Sequence, residues 1–402
     1  MKQDVRVGVV GLGGRGRGIV RDVLLELGAK VTAVCDLYED RRDQTADIVE
    51  AAGQPRPFVT ADYREVLARS DVEAVIVTAA WEAHVPVACD AMRAGKYVGI
   101  EVGGAYSVED CWRMVRAYEE TGTGFMFLEN CCYGRNELLL LNMVRQGVFG
   151  EVVHCDGGYQ HDLRDEIGFG RENRHYRFRN YLNRNGENYP THELGPIANI
   201  LNINRGNRMV SLVSMASRSA GLNDFLTREK GQDYDAASFA FTQGDVVTTL
   251  IKCAHGETIR LSLDTTLPRY YSRGLTVHGT RALYTEDNNS IFLDSEDRER
   301  HFDWRGKWDN LKDFYDQYDH PLWKEFQEKG IFGGHGGMDG LVYGRFLEAA
   351  ADCRPAPIDV YDAAAWMSIT PLSEASIAAG SAPVAIPDFT GGAWTTRGPW
   401  NP

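Results

Sequence analysis

Val5-Arg6-Val7-Gly8-Val9-Val10-Gly11-Leu12-Gly13-Gly14-Arg15-Gly16 decides the fold of this chain. An apolar run of strand type enters a Gly-x-Gly-x-x-Gly turn, and residues 19–27 continue with the apolar spacing of a helix. In that setting the backbone can approach a pyrophosphate while the helix N-terminus offers free N–H donors. Asp36 follows a second strand-like run, residues 31–35, about 20 residues beyond the last glycine, where a carboxylate accepts hydrogen bonds from an adenosine ribose. Gly11, Gly13, Gly14, Arg15, Gly16 and Asp36 thus define a dinucleotide site, and the carboxylate favours NAD over NADP, whose extra phosphate it would repel. Arg41 and Arg42, which could accept that phosphate, are read as exposed residues of the next helix.

Working outward, residues 72–78, 97–100 and 124–128 are further short apolar strands separated by helical patterns, the signature of a doubly wound parallel sheet. From about Val152 the pattern changes to strands without alternating helices, at residues 152–155, 209–213, 238–241 and 246–251, which points to an open, largely antiparallel sheet. The expected architecture is α/β: an N-terminal Rossmann domain over residues 1–128 and a C-terminal α/β domain over residues 129–402. The last stretch, rich in Gly, Pro and Trp, is expected to form an ordered arm or an oligomer contact.

A chain of 402 residues with ordinary apolar content buries a large core, and its net charge of -14 disfavours nucleic acid and anionic membrane surfaces as partners. The expectation is a cytoplasmic protein acting on small molecules, without a signal peptide or membrane span. The eight cysteines lack Cys-x-x-Cys spacing, so buried, reduced thiols are expected and no metal.

Two segments are too unusual for ordinary loops. Residues 175–196 crowd aromatic, basic and amide side chains, readable as a sugar grip, since Arg and Asn bind hydroxyls and aromatic faces cover C–H surfaces, or as a buried polar network bracing a long loop. Thr191 is expected near the cap of a helix reaching Leu201, presenting Tyr189 and His192 at its start as proton-transfer groups. Gly333-Gly334-His335-Gly336-Gly337 surrounds one titratable side chain with four glycines, readable as a mobile acid–base lid or as a tight turn needing positive φ.

These segments, with Glu129-Asn130-Cys131-Cys132-Tyr133-Gly134 and Gly157-Gly158-Tyr159, resemble glycoside hydrolase family 109, the NAD-dependent α-N-acetylgalactosaminidases of the Gfo/Idh/MocA oxidoreductase superfamily. The resemblance covers nearly the whole chain. It implies NAD contacts at Gly14, Arg15, Asp36, Trp81, Glu82, Ala83, His84, Glu101, Val102 and Asn130. Sugar contacts are implied at Tyr159, Arg177, Tyr189, Pro190, Thr191, His192 and Tyr271, with Tyr189 also touching the nicotinamide. Many sugar dehydrogenases of the superfamily carry Glu-Lys-Pro where this chain has Glu101-Val102-Gly103, so a lysine that assists alcohol oxidation is missing.

The resemblance implies hydrolysis by a redox, elimination and addition cycle that regenerates the cofactor and needs no carboxylate pair. Tyr189 and His192 are the candidates for chemistry at C2 and C3, Tyr159 belongs to the same proton-transfer group, and His335 is the candidate acid for the leaving oxygen. An NAD-dependent sugar dehydrogenase and a non-catalytic sugar sensor are the alternatives. A homo-oligomer is expected.

Overall fold

In a computed structural model, residues 4–297 and 304–402 are described. The chain forms two compact units: one comprises the chain up to Gly134 with Pro321–Ala364 and Trp400–Pro402, the other Arg135–His320 with Ala365–Pro399.

The first unit holds a six-stranded parallel sheet of β1 (Arg6–Val10), β2 (Lys30–Cys35), β3 (Phe58–Thr60), β4 (Ala74–Val77), β5 (Tyr97–Ile100) and β6 (Phe125–Phe127). Their order, 3-2-1-4-5-6, is that of a doubly wound dinucleotide fold. Strands covered on both faces must be apolar throughout, and all four residues of β4 and of β5 are buried. The helix after β1 begins at Gly14 and runs to Leu27, with a π-turn over Val20–Leu24. We call its first segment, Gly14–Ile19, α1.

The sequence division at 128/129 differs from the compact units because Pro321–Ala364 returns to the parallel sheet. Gly99 on β5 leaves the space that Phe346 fills, since a Cβ there would lie 2.8 Å from its ring. Tyr97 also packs edge-on against Phe346 and donates from its hydroxyl to the Arg354 carbonyl, and the Phe127 N–H donates to the Ile358 carbonyl. Near the chain end the Trp400 ring is buried against Tyr133.

The second unit carries an eight-stranded sheet: β7 (Val152–Gln160), β8 (Met209–Ala216), β9 (Val246–Cys253), β10 (Thr258–Asp264), β11 (Thr276–Gly279), β12 (Ala282–Thr285), β13 (Ser290–Leu293) and β14 (Val384–Ala385). The order is 13-12-11-7-10-9-8-14, antiparallel except between β7 and β10. β9 alternates buried and open residues along its length, as a strand covered on one face must. The helix α2 (Thr191–Ile200) packs on β7 and is buried on every side.

Residues 238–241 are not a strand, contrary to expectation. Asp235–Ser238 is a 3-10 turn, and the amide of Asn223 donates to the carbonyls of Ala237 and Phe239. With those acceptors met by a side chain, Phe239 and Phe241 serve as packing for Phe178.

Candidate active site

In the first unit the glycine turn has the shape a dinucleotide requires. Gly11 has φ +98°, and a Cβ on it would fall 2.3 Å from the Ala79 backbone nitrogen. A Cβ on Gly16 would fall 2.1 Å from the Gly11 carbonyl oxygen, whereas one on Gly13 would come no nearer than 3.8 Å to a neighbour, the Arg41 guanidinium. The first and last glycines close the turn, and the middle one leaves room for a ligand. Asp36 ends β2 with its carboxylate accepting from the Leu12 N–H at 2.7 Å and the Tyr38 N–H at 2.9 Å, so it is tied to the loop it serves.

Arg41 and Arg42 are half-buried, which corrects the reading of both as exposed. Arg42 donates to the carbonyl of Asp36 at 2.8 Å, and the Arg41 guanidinium lies 4.7 Å from the Tyr38 ring and 4.0 Å from the Asp36 carboxylate. They close the strand end.

Trp81, Glu82, Ala83 and His84 form the first turn of the helix Trp81–Arg93. A Cβ on Gly103 would fall 2.3 Å from the Trp81 indole, so the residue after Val102 is glycine for contact. His84 is fully buried with its Nε2 2.9 Å from the Ala79 carbonyl, and burial lowers its pKa, keeping the ring neutral.

Arg15, Glu101 and Asn130, all candidates for the cofactor, meet in one buried network. Arg15 donates to Glu101 Oε1 from Nε and Nη2 at 3.0 and 2.8 Å. It also donates to both oxygens of Asp339, at 2.7 and 2.9 Å, and Asn130 Nδ2 donates to Asp339 Oδ1 at 2.8 Å. The Tyr343 hydroxyl donates to Glu101 at 2.7 Å. His335 joins through Nδ1, 2.9 Å from Asp339 Oδ2. Burial alone would raise the Asp339 pKa, but the hydrogen bonds from His335 and Arg15 outweigh it and hold the carboxyl well below the usual range. Asp339 and Tyr343 lie in the helix α3 (Met338–Ala351) and were not singled out from the sequence. The signal for Asp339 was its position four residues after His335. The glycine loop itself is a tight turn, with positive φ at Gly333, His335, Gly336 and Gly337.

In the second unit Tyr159, near the end of β7, faces Tyr189 and His192 at the start of α2. Ring centroids lie 4.4 Å apart for Tyr159 and Tyr189, 5.4 Å for Tyr159 and His192, and 4.8 Å for Tyr189 and His192. The Tyr189 hydroxyl is 3.4 Å from His192 Nε2. Gly157 makes this approach possible, because a Cβ there would fall 2.3 Å from the Glu193 side chain on α2. Pro190 stands at the helix N-cap and Thr191 begins the helix, fully buried. Arg177 is buried, pairs with Glu166 at 3.0 Å and holds its guanidinium 5.0 Å from the Tyr189 ring. Although burial works against its charge, Glu166 and the surrounding phenols raise its pKa well above the ordinary value. Tyr271 is half exposed at the rim of the cluster.

His161 belongs to this cluster and was missed. Its Nδ1 lies 3.0 Å from the Tyr159 hydroxyl, its ring packs edge-on to Tyr271, and burial followed by the charge of Arg177 lowers its pKa. Alternation along an extended chain puts residues 159 and 161 on one side, which is the signal that would have found it.

A parallel dinucleotide fold joined to a mixed sheet bearing a buried cluster of phenols and imidazoles defines a two-unit protein of NAD-binding oxidoreductase architecture. Residues 5–128 match the oxidoreductase family with an NAD-binding Rossmann fold, and residues 133–396 match the C-terminal domain of glycosyl hydrolase 109. The chain belongs to glycosyl hydrolase family 109. It is 40% identical to an alpha-N-acetylgalactosaminidase of Tannerella forsythia, across 98% of this chain and 88% of that one. It is 38% identical to a family 109 protein of Parabacteroides distasonis, across 98% and 89%. Among solved structures, levoglucosan dehydrogenase in complex with NADH and levoglucosan shares the fold, with TM-score 0.68 at 17% identity over 96% of this chain and all of that one. A myo-inositol 2-dehydrogenase of Lactobacillus plantarum does so with TM-score 0.67 at 13% identity, over 96% and 100%.

Proposed function

We propose that the protein hydrolyses α-N-acetylgalactosaminides or closely related glycosides, using NAD without consuming it. The observation that carries this reading is the Tyr159, Tyr189 and His192 cluster, in a family 109 chain whose other unit has an NAD cradle shaped by Gly11 and Gly16. NAD, when held by the glycine turn and Asp36, supplies reversible hydride acceptance at C3 of the sugar, which renders the C2 proton acidic.

The chain supplies the rest. Tyr189 and His192 form a hydrogen-bonding pair that can take the protons from the 3-hydroxyl and from C2 and return them after water adds at C1. Arg177, its guanidinium 5.0 Å from the Tyr189 ring, is placed to bind sugar hydroxyls. His335 gives a proton to the leaving oxygen and recovers it from water. Glu101 keeps its carboxylate on Arg15 and Tyr343, and Val102 and Gly103 stand where a dehydrogenase lysine would follow.

The dehydrogenase reading draws on the fold neighbours, and one assay separates the two. A panel of aryl α- and β-glycosides is incubated with the holoenzyme while phenol release and NADH absorbance are followed together. Phenol release from the α-N-acetylgalactosaminide with flat NADH absorbance supports the glycosidase. NADH rising in proportion to sugar, with no phenol, supports the dehydrogenase, and binding without either supports a sensor.

A further inference from the structure

We propose that Asp339 is the positioning residue for His335, and that Arg15 of the dinucleotide turn fixes Asp339 in that role. The inference rests on the reading of His335 as the acid for the leaving group.

The geometry begins with the glycines. A Cβ on Gly334 would lie 2.6 Å from Asp339 Oδ2, and one on Gly333 would lie 2.7 Å from the Gly340 nitrogen. The loop therefore closes onto the first turn of α3 only because these residues lack side chains, and the closure brings Asp339 Oδ2 to His335 Nδ1. His335 itself sits at φ +53°, a conformation a residue with a Cβ adopts only when its surroundings hold it there.

The contacts then choose the tautomer. Two lone pairs facing each other at 2.9 Å repel, so Nδ1 carries a hydrogen and donates it to Oδ2. Among the described residues Arg15 Nη1 also approaches Nδ1, at 3.4 Å, and it already donates to the same Oδ2 at 2.7 Å. Asp339 is almost wholly buried while the His335 side chain is 54% exposed. The neutral ring consequently turns Nε2, with its lone pair, toward the open side, where it can take a proton and deliver it. The other oxygen of Asp339 is occupied by Arg15 Nη2 and Asn130 Nδ2, so the carboxylate cannot rotate away without losing both. A residue of the phosphate-binding turn and the proposed proton donor thus share one carboxylate.

Asp339→Asn tests this. The amide oxygen satisfies Arg15 Nη2 and Asn130 while the bond from Arg15 Nη1 is lost, and the amide N–H2 is left facing His335 Nδ1; that nitrogen must then accept, and the proton moves to Nε2. Holoenzyme variants Asp339→Asn, His335→Ala and the double variant are assayed on a methyl and a 4-nitrophenyl α-N-acetylgalactosaminide. The expected losses in kcat/KM on the methyl glycoside are roughly 10–100-fold for Asp339→Asn and about 100-fold or more for His335→Ala. Both variants should spare the nitrophenyl substrate to within about 10-fold, since a good leaving group needs little acid. In the His335→Ala background, Asp339→Asn should cost less than about 3-fold more, because two residues acting through one group are not additive.

Equal slowing of both substrates by Asp339→Asn, or full additivity in the double variant, overturns the inference while a normal His335→Ala pattern leaves the acid reading standing. Equal slowing by His335→Ala overturns both. Should Asp339→Asn fail to fold, 15N spectra of histidine-labelled wild-type holoenzyme decide, with His335 assigned against His335→Gln. The neutral ring is expected protonated at Nδ1, and protonation at Nε2 contradicts the proposal.

Discussion

Replacing Glu187 by glutamine should abolish a dependence of stability on pH that this one carboxyl imposes. Glu187 lies two residues before Tyr189 and is wholly buried, its backbone pinned by Ser373 Oγ, which accepts from its N–H, and by Thr370, whose hydroxyl donates to its carbonyl. Burial raises its pKa from 4.5 to about 8, only partly offset by the Tyr189 N–H. Between those values the folded protein keeps a proton that the unfolded chain has released. Stability therefore falls as pH rises from about 4.5 to 8 and levels off above. At about 1.4 kcal/mol per pH unit, the whole window is worth on the order of 5 kcal/mol as a ceiling. Glutamine has the same shape and no charge to desolvate. Unfolding free energies of wild type and Glu187→Gln, from urea titrations followed by circular dichroism from pH 5 to 9, should coincide to within about 1 kcal/mol at pH 5 and separate by a few kcal/mol at pH 8.5, the variant being the more stable. Because the segment leads directly into Tyr189, the variant should also hold its activity further into alkaline solution. Parallel stability curves across the whole range would refute the reasoning.

The remaining expectations follow from single contacts. Asp36→Ala removes the acceptor of the Leu12 N–H and should weaken NAD binding by roughly 10–100-fold while narrowing the preference over NADP; fluorescence titration with both nucleotides checks it, and an unchanged ratio contradicts it. Gly157→Ala pushes a Cβ into Glu193 and should cost about 1–3 kcal/mol, read as a lower melting temperature, with a larger fall in kcat as Tyr159 and His192 separate; unchanged values would mean that α2 gives way freely. Hydrolysis run in D2O should place deuterium at C2 of the released sugar or show a kinetic effect with substrate deuterated at C2, and absence of both would leave proton removal unsupported.

What could be read in the sequence was geometry written locally. The glycine turn, Asp36 at the end of β2, and Tyr189 with His192 at the head of α2 each depend on spacing within one strand–turn–helix or one helical turn. Asp339 was hidden because its role depends on a segment returning across more than two hundred residues to the parallel sheet and to Arg15. His161 was hidden because β7 ends at Gln160, so the alternation that pairs it with Tyr159 runs past the strand. The apolar run at residues 238–241 misled for the opposite reason: its alternation was real, but Asn223 satisfied the carbonyls that a neighbouring strand would have used. Arg41 and Arg42 looked like solvated helix residues because nothing local shows that strand-end carbonyls and the Asp36 carboxylate lie within their reach.

The central claim is that a nicotinamide cofactor is cycled, and not consumed, in breaking a glycosidic bond. Stripping the cofactor under mild denaturation, refolding, and adding NAD back at one equivalent per chain tests it in a single experiment on 4-nitrophenyl α-N-acetylgalactosaminide. The account predicts no hydrolysis by the stripped protein, recovery over many turnovers with one equivalent of NAD, and no accumulation of NADH. Full hydrolysis by the stripped protein, or one NADH formed for each sugar released, would contradict it.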